Sequence, residues 1–127
     1  MPVVEIRGLP QPGDVVERAL TAVTKRVAAV LGKEPRGTWA TWEPIGARRY
    51  AEGDEVAEAQ RDATHPPLLR IVAFEGRSEE QIEAMLTAAC DALAAELGLD
   101  PGNVFGVYEE ARAGRIYTGG HVVRGGS

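Results

Sequence analysis

Residues 67–98 read PLLRIVAFEGRSEEQIEAMLTAACDALAAELG and combine a strand pattern with a helix pattern. Residues 68–74 are apolar at almost every position, which is typical of a strand covered on both faces. Ser78 followed by Gln81 is the signature of a capping box, and Gly98 is the usual helix terminator. The stretch therefore predicts a strand at 68–74 and a helix at 79–97. The apolar residues of this helix recur at the spacing of one buried face, as Ile82, Met85, Leu86, Ala89, Leu93 and Leu97.

The first part of the chain shows the same order of patterns. Residues 3–9 predict a short strand, residues 15–31 a helix, and residues 38–43 a second strand. Asp14 offers an N-cap oxygen to this helix, and Gly32 ends it. The first part of the chain is therefore predicted to be a strand–helix–strand unit.

The two parts match at a nearly fixed offset of 66 residues. Leu31-Gly32-x-x-Pro35 recurs as Leu97-Gly98-x-x-Pro101, and Trp39 falls on Phe105 in a strand predicted at 104–108. A repeat of this length, with the same helix stop and the same aromatic strand, indicates a duplicated unit. The chain is therefore predicted to contain two tandem β–α–β units.

We expect the two units to share one sheet within a single domain that spans residues 1–127. Right-handed crossovers make the strands of each unit parallel, so the predicted fold is α/β (α+β): a four-stranded, mainly parallel sheet with two helices on one face. Because the strands look apolar on both sides, the other face needs cover, and self-association is expected. Unit 1 spans residues 2–45, an insert 46–66, and unit 2 residues 67–120.

Two stretches outside these units are less regular. The polar insert predicts a hairpin or loop, and the charged run at 55–61 suggests a turn of helix within it. Residues 114–120 predict a second short hairpin. Arg48, Arg49 and Tyr50 of the insert have two interpretations: they close over a site, or they form an ordinary solvated hairpin.

Composition excludes several classes of protein. A net charge of −5 over 127 residues argues against nucleic-acid binding, which needs a concentrated basic surface. The sequence contains no apolar run of about 18 residues, the length that would predict a membrane span. The N-terminus lacks a signal-peptide pattern. His65 and His121 have no partners at metal-ligand spacing. A lone Cys90, which cannot form an intrachain disulfide, fits the reducing cytoplasm, so we expect a cytoplasmic protein without metal or cofactor.

The stretch PLLRIVAFEGRSEEQ at residues 67–81 closely resembles the opening of 4-oxalocrotonate tautomerase subunits, and Gly119-Gly120 matches a diglycine near their end. A chain with two such units resembles the fused members of the tautomerase superfamily, such as malonate semialdehyde decarboxylase and cis-3-chloroacrylic acid dehalogenase. The resemblance implies a tautomerase/MIF-like fold, a homotrimer, and chemistry that needs no cofactor.

The resemblance also implies roles for particular residues. Pro2, once Met1 is removed, would be the catalytic secondary amine that acts as general base or acid. Arg77 would bind the substrate carboxylate, and Arg70 is a weaker candidate for the same role. The alternatives are that Pro2 merely begins an edge strand and that Arg77 forms a surface ion pair with Glu79 or Glu80.

Some positions depart from the family's pattern. Phe105, and Trp39 in the first unit, stand where the resemblance would place a second arginine, and Ile116 stands where it would place a phenylalanine. Trp39, Phe105 and Ile116 are therefore candidates for the pocket wall, although a tryptophan here is equally interpretable as core. A smaller or more apolar substrate with one carboxylate fits this set. Tyr108 and Glu109 lie near the positions where fused relatives activate water, but the registers do not match closely.

Three functions are consistent with these residues. The leading hypothesis is a tautomerase (isomerase) that acts on a small enol or unsaturated carboxylic acid. A related decarboxylase, or a hydratase or dehalogenase, would use the same proline in its protonated form. The third is a non-catalytic trimeric module that binds a small molecule.

Overall fold

The structure, a computed structural model, describes residues 2–125; Met1, whose removal the proline hypothesis requires, lies outside the described residues. The strand predicted at 68–74 and the helix predicted at 79–97 are confirmed with those bounds. The elements are β1 (Val3–Gly8), α1 (Val15–Val30), a 3-10 turn (Pro35–Gly37), β2 (Trp39–Pro44), β3 (Ala51–Glu52), β4 (Glu55–Val56), β5 (Leu68–Phe74), α2 (Glu79–Leu97), β6 (Phe105–Ala111), β7 (Ile116–Thr118) and β8 (His121–Val123).

Four strands form one sheet in the order β2-β1-β5-β6. Within each unit the strands are parallel, and the two units join through an antiparallel pair, β1 with β5. Val3 pairs with Trp39 on one side and with Val72 on the other. The predicted four-stranded, mainly parallel sheet is confirmed. The antiparallel junction relates the two units by an approximate two-fold axis.

The hydrophobic core lies between this sheet and the two helices, which pack side by side on one face. Alternation along β1 buries Val4 and Ile6 and leaves Glu5 and Arg7 exposed, as expected when one face of a strand is covered. Each large apolar side chain buried here contributes about 1.5–3 kcal/mol. The helices supply mainly small and branched side chains: Ala19, Val23, Val27, Met85, Ala89, Ala92 and Leu93.

The two helices begin differently. The Ser78 hydroxyl accepts a hydrogen bond from the Gln81 N–H at 3.1 Å, so the predicted cap of α2 is confirmed. The predicted cap of α1 is wrong, because Asp14 makes no capping hydrogen bond and pairs with Arg18 instead. The backbone of Asp14 has φ −101° and ψ 21°, outside the extended conformation from which a cap side chain reaches the first turn.

The insert contains a hairpin, β3 with β4, followed by irregular backbone. The helical turn suggested at 55–61 is wrong. Glu55 and Val56 pair with the preceding strand, and the backbone after them is irregular. The Asn103 side chain donates hydrogen bonds to the carbonyls of Arg61, Asp62 and Thr64 in that irregular part.

The structural repeat continues through both hairpins. The Arg48 N–H donates to the Ala57 carbonyl at 2.9 Å, and 66 residues later the Gly114 N–H donates to the Val123 carbonyl at 2.8 Å. Arg48 and Gly114 both have positive φ, 63° and 80°. The β3–β4 hairpin is therefore the counterpart of the β7–β8 hairpin, which begins two residues later than the sequence predicts.

The second face of the sheet carries charges as well as apolar side chains. Arg70 Nε lies 3.0 Å from a Glu5 oxygen, and Arg70 Nη1 lies 3.2 Å from a Glu109 oxygen. The prediction that the strands are apolar on both sides is therefore wrong for the middle of this face. Large apolar side chains remain exposed nearer its ends, with Trp39 at 49% and Phe105 at 55% exposure. Within residues 2–125, no helix is long and apolar enough to cross a lipid bilayer.

The repeat also explains one close contact in the core. Ile6 pairs with Trp42, whose ring lies over Gly8: a Cβ added to Gly8 would lie 2.6 Å from the ring carbon Cη2. In unit 2, Tyr108 pairs with Ile71, and Ala73 is the counterpart of Gly8. The larger indole therefore requires the smaller residue beside it.

We predict that Gly8→Ala lowers the free energy of unfolding by about 1–3 kcal/mol, because the added methyl group overpacks this contact. Adding Trp42→Tyr, which reproduces the Ala73–Tyr108 pair of unit 2, should recover part of the loss. Urea denaturation of the single and double variants measures both effects. Gly37→Ala is the control, since a Cβ there meets no atom within 4 Å. Equal stability of Gly8→Ala and Gly37→Ala would contradict the prediction.

Candidate active site

The antiparallel junction decides which residues share an end of the sheet. Because Val3 faces Val72, the start of β1 lies beside the end of β5. Pro2 immediately precedes β1, and Arg77 follows β5 by three residues. We call this edge, with the start of β2 and the end of β6, the Pro2 end. The opposite edge, where β5 and β6 begin, is the Pro67 end.

Pro2 is fully buried, and its carbonyl accepts a hydrogen bond from the Trp39 N–H at 3.1 Å. Alternation along β1 places its ring on the helix side of the sheet, like that of Val4. Pro67 occupies the equivalent place in unit 2, where its carbonyl accepts from the Phe105 N–H, also at 3.1 Å. The Pro67 nitrogen is part of an internal peptide bond, so it cannot act as a base.

The predicted pocket residues are therefore divided between the two ends. Trp39 lies at the Pro2 end with Pro2 and Arg77, whereas Phe105 lies at the Pro67 end of the same chain. Ile116 lies in β7, partly buried, on the hairpin that follows β6. One chain thus brings together Pro2, Arg77 and Trp39, and does not bring Phe105 to them.

Arg77 lies partly buried where the chain passes from β5 into α2. Its Nη1 donates to the Phe74 carbonyl at a long 3.3 Å. The guanidinium also lies near the Tyr108 hydroxyl: burial raises the pKa of Tyr108, and the charge of Arg77 acts in the opposite direction. The hydroxyl is buried, yet among residues 2–125 it makes no hydrogen bond of good geometry. Sequence analysis did not predict this contact.

Arg70 lies in the middle of the sheet, on the face away from the helices. Its guanidinium is held between Glu5 and Glu109, which compensate its charge. Each of the three side chains is about half exposed, so such pairs contribute little stability. Arg70 is therefore already engaged, unlike Arg77.

The Pro67 end is closed by the insert. The Tyr50 hydroxyl donates to the Pro66 carbonyl. The fully buried His65 ring packs edge-on against Tyr50, with centroids 5.2 Å apart, and lies within 3.0 Å of the Glu55 carbonyl. Arg48 pairs at the surface with Glu58. Of the two interpretations of residues 48–50, closure over Pro2 within the same chain is wrong.

The residue equivalent to Arg77 is also absent from the Pro67 end. Gln11 Nε2 donates to the Leu9 carbonyl at 3.1 Å, as Arg77 does to the Phe74 carbonyl, and it approaches Gln60 of the insert at 3.5 Å. A neutral amide therefore stands where unit 2 has a cation. The two ends of the sheet therefore differ in charge, and the insert covers only the Pro67 end.

Two concavities among the described residues lie away from the Pro2 end, and neither is lined by Pro2 or Arg77. One, of about 720 Å³, lies open on the second face of the sheet and reaches Phe105 and Arg70. The other, of about 630 Å³, lies in the outer groove between the helices.

Comparison with known proteins agrees with this architecture. Residues 67–125 match the family model named Tautomerase, described as tautomerase enzyme. A fused 4-OT solved as a symmetric trimer superposes with a TM-score of 0.81 at 18% identity, covering 95% of this chain and 94% of that chain. Residues 67–125 are therefore similar to the tautomerase family, and the whole chain has the fold of the fused 4-OT structure. The predicted resemblance is confirmed.

Two further structures show the breadth of this tautomerase fold. Pt0534 inactivated by 2-oxo-3-pentynoate has a TM-score of 0.78 at 17% identity, covering 95% of this chain and 94% of that chain. A macrophage migration inhibitory factor-like protein from Entamoeba histolytica has a TM-score of 0.72 at 13% identity, covering 95% and 97%. No curated protein matches the sequence significantly.

The Cys90 thiol of this tautomerase-fold chain lies between α2 and β6. A Cβ added to Gly106 of β6 would lie 2.9 Å from its Sγ. Burial, and secondarily the nearby Asp91 carboxylate, raises the pKa of Cys90 to about 11. The thiol therefore stays protonated at neutral pH, and the thiolate is the nucleophilic form.

We predict that iodoacetamide labels Cys90 at pH 8 about a hundredfold more slowly in the folded protein than in urea, because two pKa units reduce the thiolate that much. Because the folded pKa is the higher one, this group's stabilisation is complete below about pH 9 and is lost as pH rises towards 11. Mass spectrometry measures labelling, and denaturation of Cys90→Ala isolates the pH-dependent part. Equal labelling of folded and unfolded protein would refute the assignment.

Proposed function

We propose that this protein is a cofactor-independent tautomerase that acts on a small enol or unsaturated acid with one carboxylate, using Pro2 as general acid/base. The observation that carries the proposal is the meeting of Pro2 and Arg77 at one end of the sheet, which the β1–β5 pairing produces. The proposal takes the similarity of residues 67–125 to the tautomerase family as its second support.

The proposed chemistry needs a free amine at Pro2. Removal of Met1 would convert the proline nitrogen from an amide, which is not basic, into a secondary amine, which is basic. Pro2 is fully buried, and burial disfavours the protonated form of an amine. The nearby Arg77 charge acts in the same direction, so we expect the pKa of this amine to be lowered towards neutrality, where a base operates best.

The proposed reaction moves one proton. The neutral amine takes a proton from the substrate's enol oxygen or α-carbon, and the resulting ammonium returns it to the other position of the conjugated system. Arg77 binds the carboxylate through its planar guanidinium and holds the reacting atoms against Pro2. Arg70 is kept as a second, weaker carboxylate contact, since Glu5 and Glu109 already compensate it. Trp39 supplies an apolar wall.

We further propose that the protein is a homotrimer and that its pocket forms between subunits. A fused 4-OT with this fold is a symmetric trimer, and neither of the two concavities described above is lined by Pro2. Phe105 is exposed at the far end of the sheet, so it would wall the site only from a neighbouring copy. Ile116 is proposed as a wall on the β7–β8 hairpin. The free Cys90 thiol fits a cytoplasmic location.

We predict that Pro2→Ala lowers the rate of phenylenolpyruvate ketonisation at least a hundredfold, because it replaces the ring-held secondary amine with a more mobile primary amine. Arg77→Ala should raise KM at least tenfold through loss of the carboxylate contact. Steady-state kinetics of processed, untagged protein measures both effects. Arg26→Ala, an exposed arginine on α1, is the control and should leave both constants unchanged.

Covalent labelling separates the possible functions. 2-Oxo-3-pentynoate should add to the Pro2 nitrogen, with the amine proton passing to the neighbouring alkyne carbon, and peptide mass spectrometry locates the adduct. An amine that is labelled in a protein without tautomerase activity would favour the decarboxylase or hydratase alternatives. An unlabelled N-terminus, or a retained Met1 in the cell, would leave the non-catalytic binding module.

We predict that the protein in solution has the mass of three copies of the 13.6 kDa chain. Sedimentation velocity at micromolar concentration measures this mass. Trp39→Glu should weaken assembly, because it places a charge in the apolar part of the open sheet face, whereas Tyr117→Glu, at a side chain with 72% exposure, should not. A monomeric wild-type protein would contradict the prediction.

A further inference from the structure

The Tyr108 hydroxyl is a buried polar group without a good hydrogen-bond partner in residues 2–125. Such groups are rare in folded proteins, because water satisfies them in the unfolded chain and nothing replaces it. A phenylalanine would fill the same space without this cost. The hydroxyl therefore calls for an explanation beyond packing.

The register of the sheet places this hydroxyl beside the proposed site. Tyr108 pairs with Ile71, packs against the core on the helix side of the sheet and lies three residues before the end of β6, which is at the Pro2 end. Arg77 lies between β5 and α2 at the same end, and its guanidinium is close enough to influence the hydroxyl. Arg77 donates one long hydrogen bond to the Phe74 carbonyl, and its approach to the Tyr108 hydroxyl acts to lower the pKa of that phenol without reaching good hydrogen-bond geometry.

Comparison of the two units shows that the hydroxyl and the cation occur together. In unit 1 the counterpart of Tyr108 is Trp42, which has no hydroxyl, and Gln11 stands in place of Arg77. That unit's end is also closed by the insert. At the two equivalent positions, unit 2 thus has a phenol and a guanidinium, whereas unit 1 has an indole and a neutral amide.

We propose that Tyr108 is a positioning residue whose hydroxyl accepts an N–H of Arg77 when substrate binds and so fixes the plane of the guanidinium. This inference deepens the proposed function and rests on it. With one N–H directed to the Phe74 carbonyl and another to Tyr108, the remaining N–H groups face outward in one orientation. A planar carboxylate is then gripped by a single arginine, which compensates for the absence of a second one at Phe105.

The protonation state of Tyr108 suits this role. Burial keeps the pKa of Tyr108 above its ordinary value, and the opposing effect of Arg77 is smaller. The side chain is therefore a neutral phenol at physiological pH, and its oxygen lone pairs can accept from Arg77 while its O–H remains available as a donor. The substrate class expected is a small 2-keto or enol acid with one carboxylate.

Tyr108→Phe tests the role, because it removes only the hydroxyl. We expect KM for phenylenolpyruvate to rise about tenfold or more while kcat changes less than about threefold, since the lost interaction orients the carboxylate contact. Thermal stability should be unchanged or slightly increased, because no hydrogen bond is lost in the free protein. NMR of the Arg77 side chain should show a shifted Nε–H signal when carboxylate is present.

Two other tyrosines supply matched controls. Tyr117→Phe changes an exposed hydroxyl and should alter nothing. Tyr50→Phe removes a buried hydroxyl that does donate to a carbonyl, so it should lower stability without changing KM. If Tyr108→Phe instead lowers stability as Tyr50→Phe does, with KM unchanged, the hydroxyl is structural and the proposal fails.

The readouts also separate this proposal from the proposed function. Benzoate, which carries a carboxylate but cannot react, should shift the Arg77 signal in wild-type protein and shift it less in Tyr108→Phe. That result would support the positioning role even if Pro2→Ala proved the tautomerase assignment wrong. An identical response of the two proteins to benzoate would overturn the positioning role even in an active tautomerase.

Discussion

The antiparallel pairing of β1 with β5 is the interaction on which the rest of the structure depends. Each β–α–β unit alone would have a sheet of only two strands, and such a sheet is marginally stable in water. Joining the units edge to edge gives four strands and one shared core beneath two helices. The same pairing reverses one unit relative to the other, so the start of the first strand meets the end of the third. Without that reversal Pro2 and Arg77 would lie at opposite ends.

A duplicated unit joined in this way produces two similar ends, but in this chain the two ends carry different side chains. At the Pro67 end, the insert fills the space with Tyr50 and His65, and Gln11 replaces the cation. At the Pro2 end, Arg77 and the Tyr108 hydroxyl remain with few partners. The polar groups of the Pro67 end are satisfied and stabilise the fold. Those of the Pro2 end have few partners, as expected of a binding site.

The parts of the fold that sequence predicts are those decided locally. The strand at 68–74 and the helix at 79–97 follow from an apolar run, a Ser78 cap and a Gly98 stop, which act over a few residues. Asp14 carries the same cap chemistry, but its backbone angles and the neighbouring Arg18 divert it. The expected helical turn of the insert is instead a hairpin strand followed by irregular backbone, which Asn103, about 40 residues away, holds through three carbonyl groups. No local pattern contains that information. Pro2 and Arg77 came from the resemblance, whereas the contact between Arg77 and Tyr108 required the register of β5 and β6.

Phe105 shows why the proposed site needs an assembly rather than one chain. The register that brings Pro2 to Arg77 necessarily sends the start of β6 to the other end. A pocket that uses both residues must therefore be assembled from two copies, each giving a different end of its sheet. The charged row of Glu5, Arg70 and Glu109 between those ends is half exposed in one chain. Its alternating signs would align neighbouring copies more than bind them tightly, because exposed ion pairs contribute direction more than affinity. The apolar residues at the two ends are then left to supply the affinity, and the site forms where they meet.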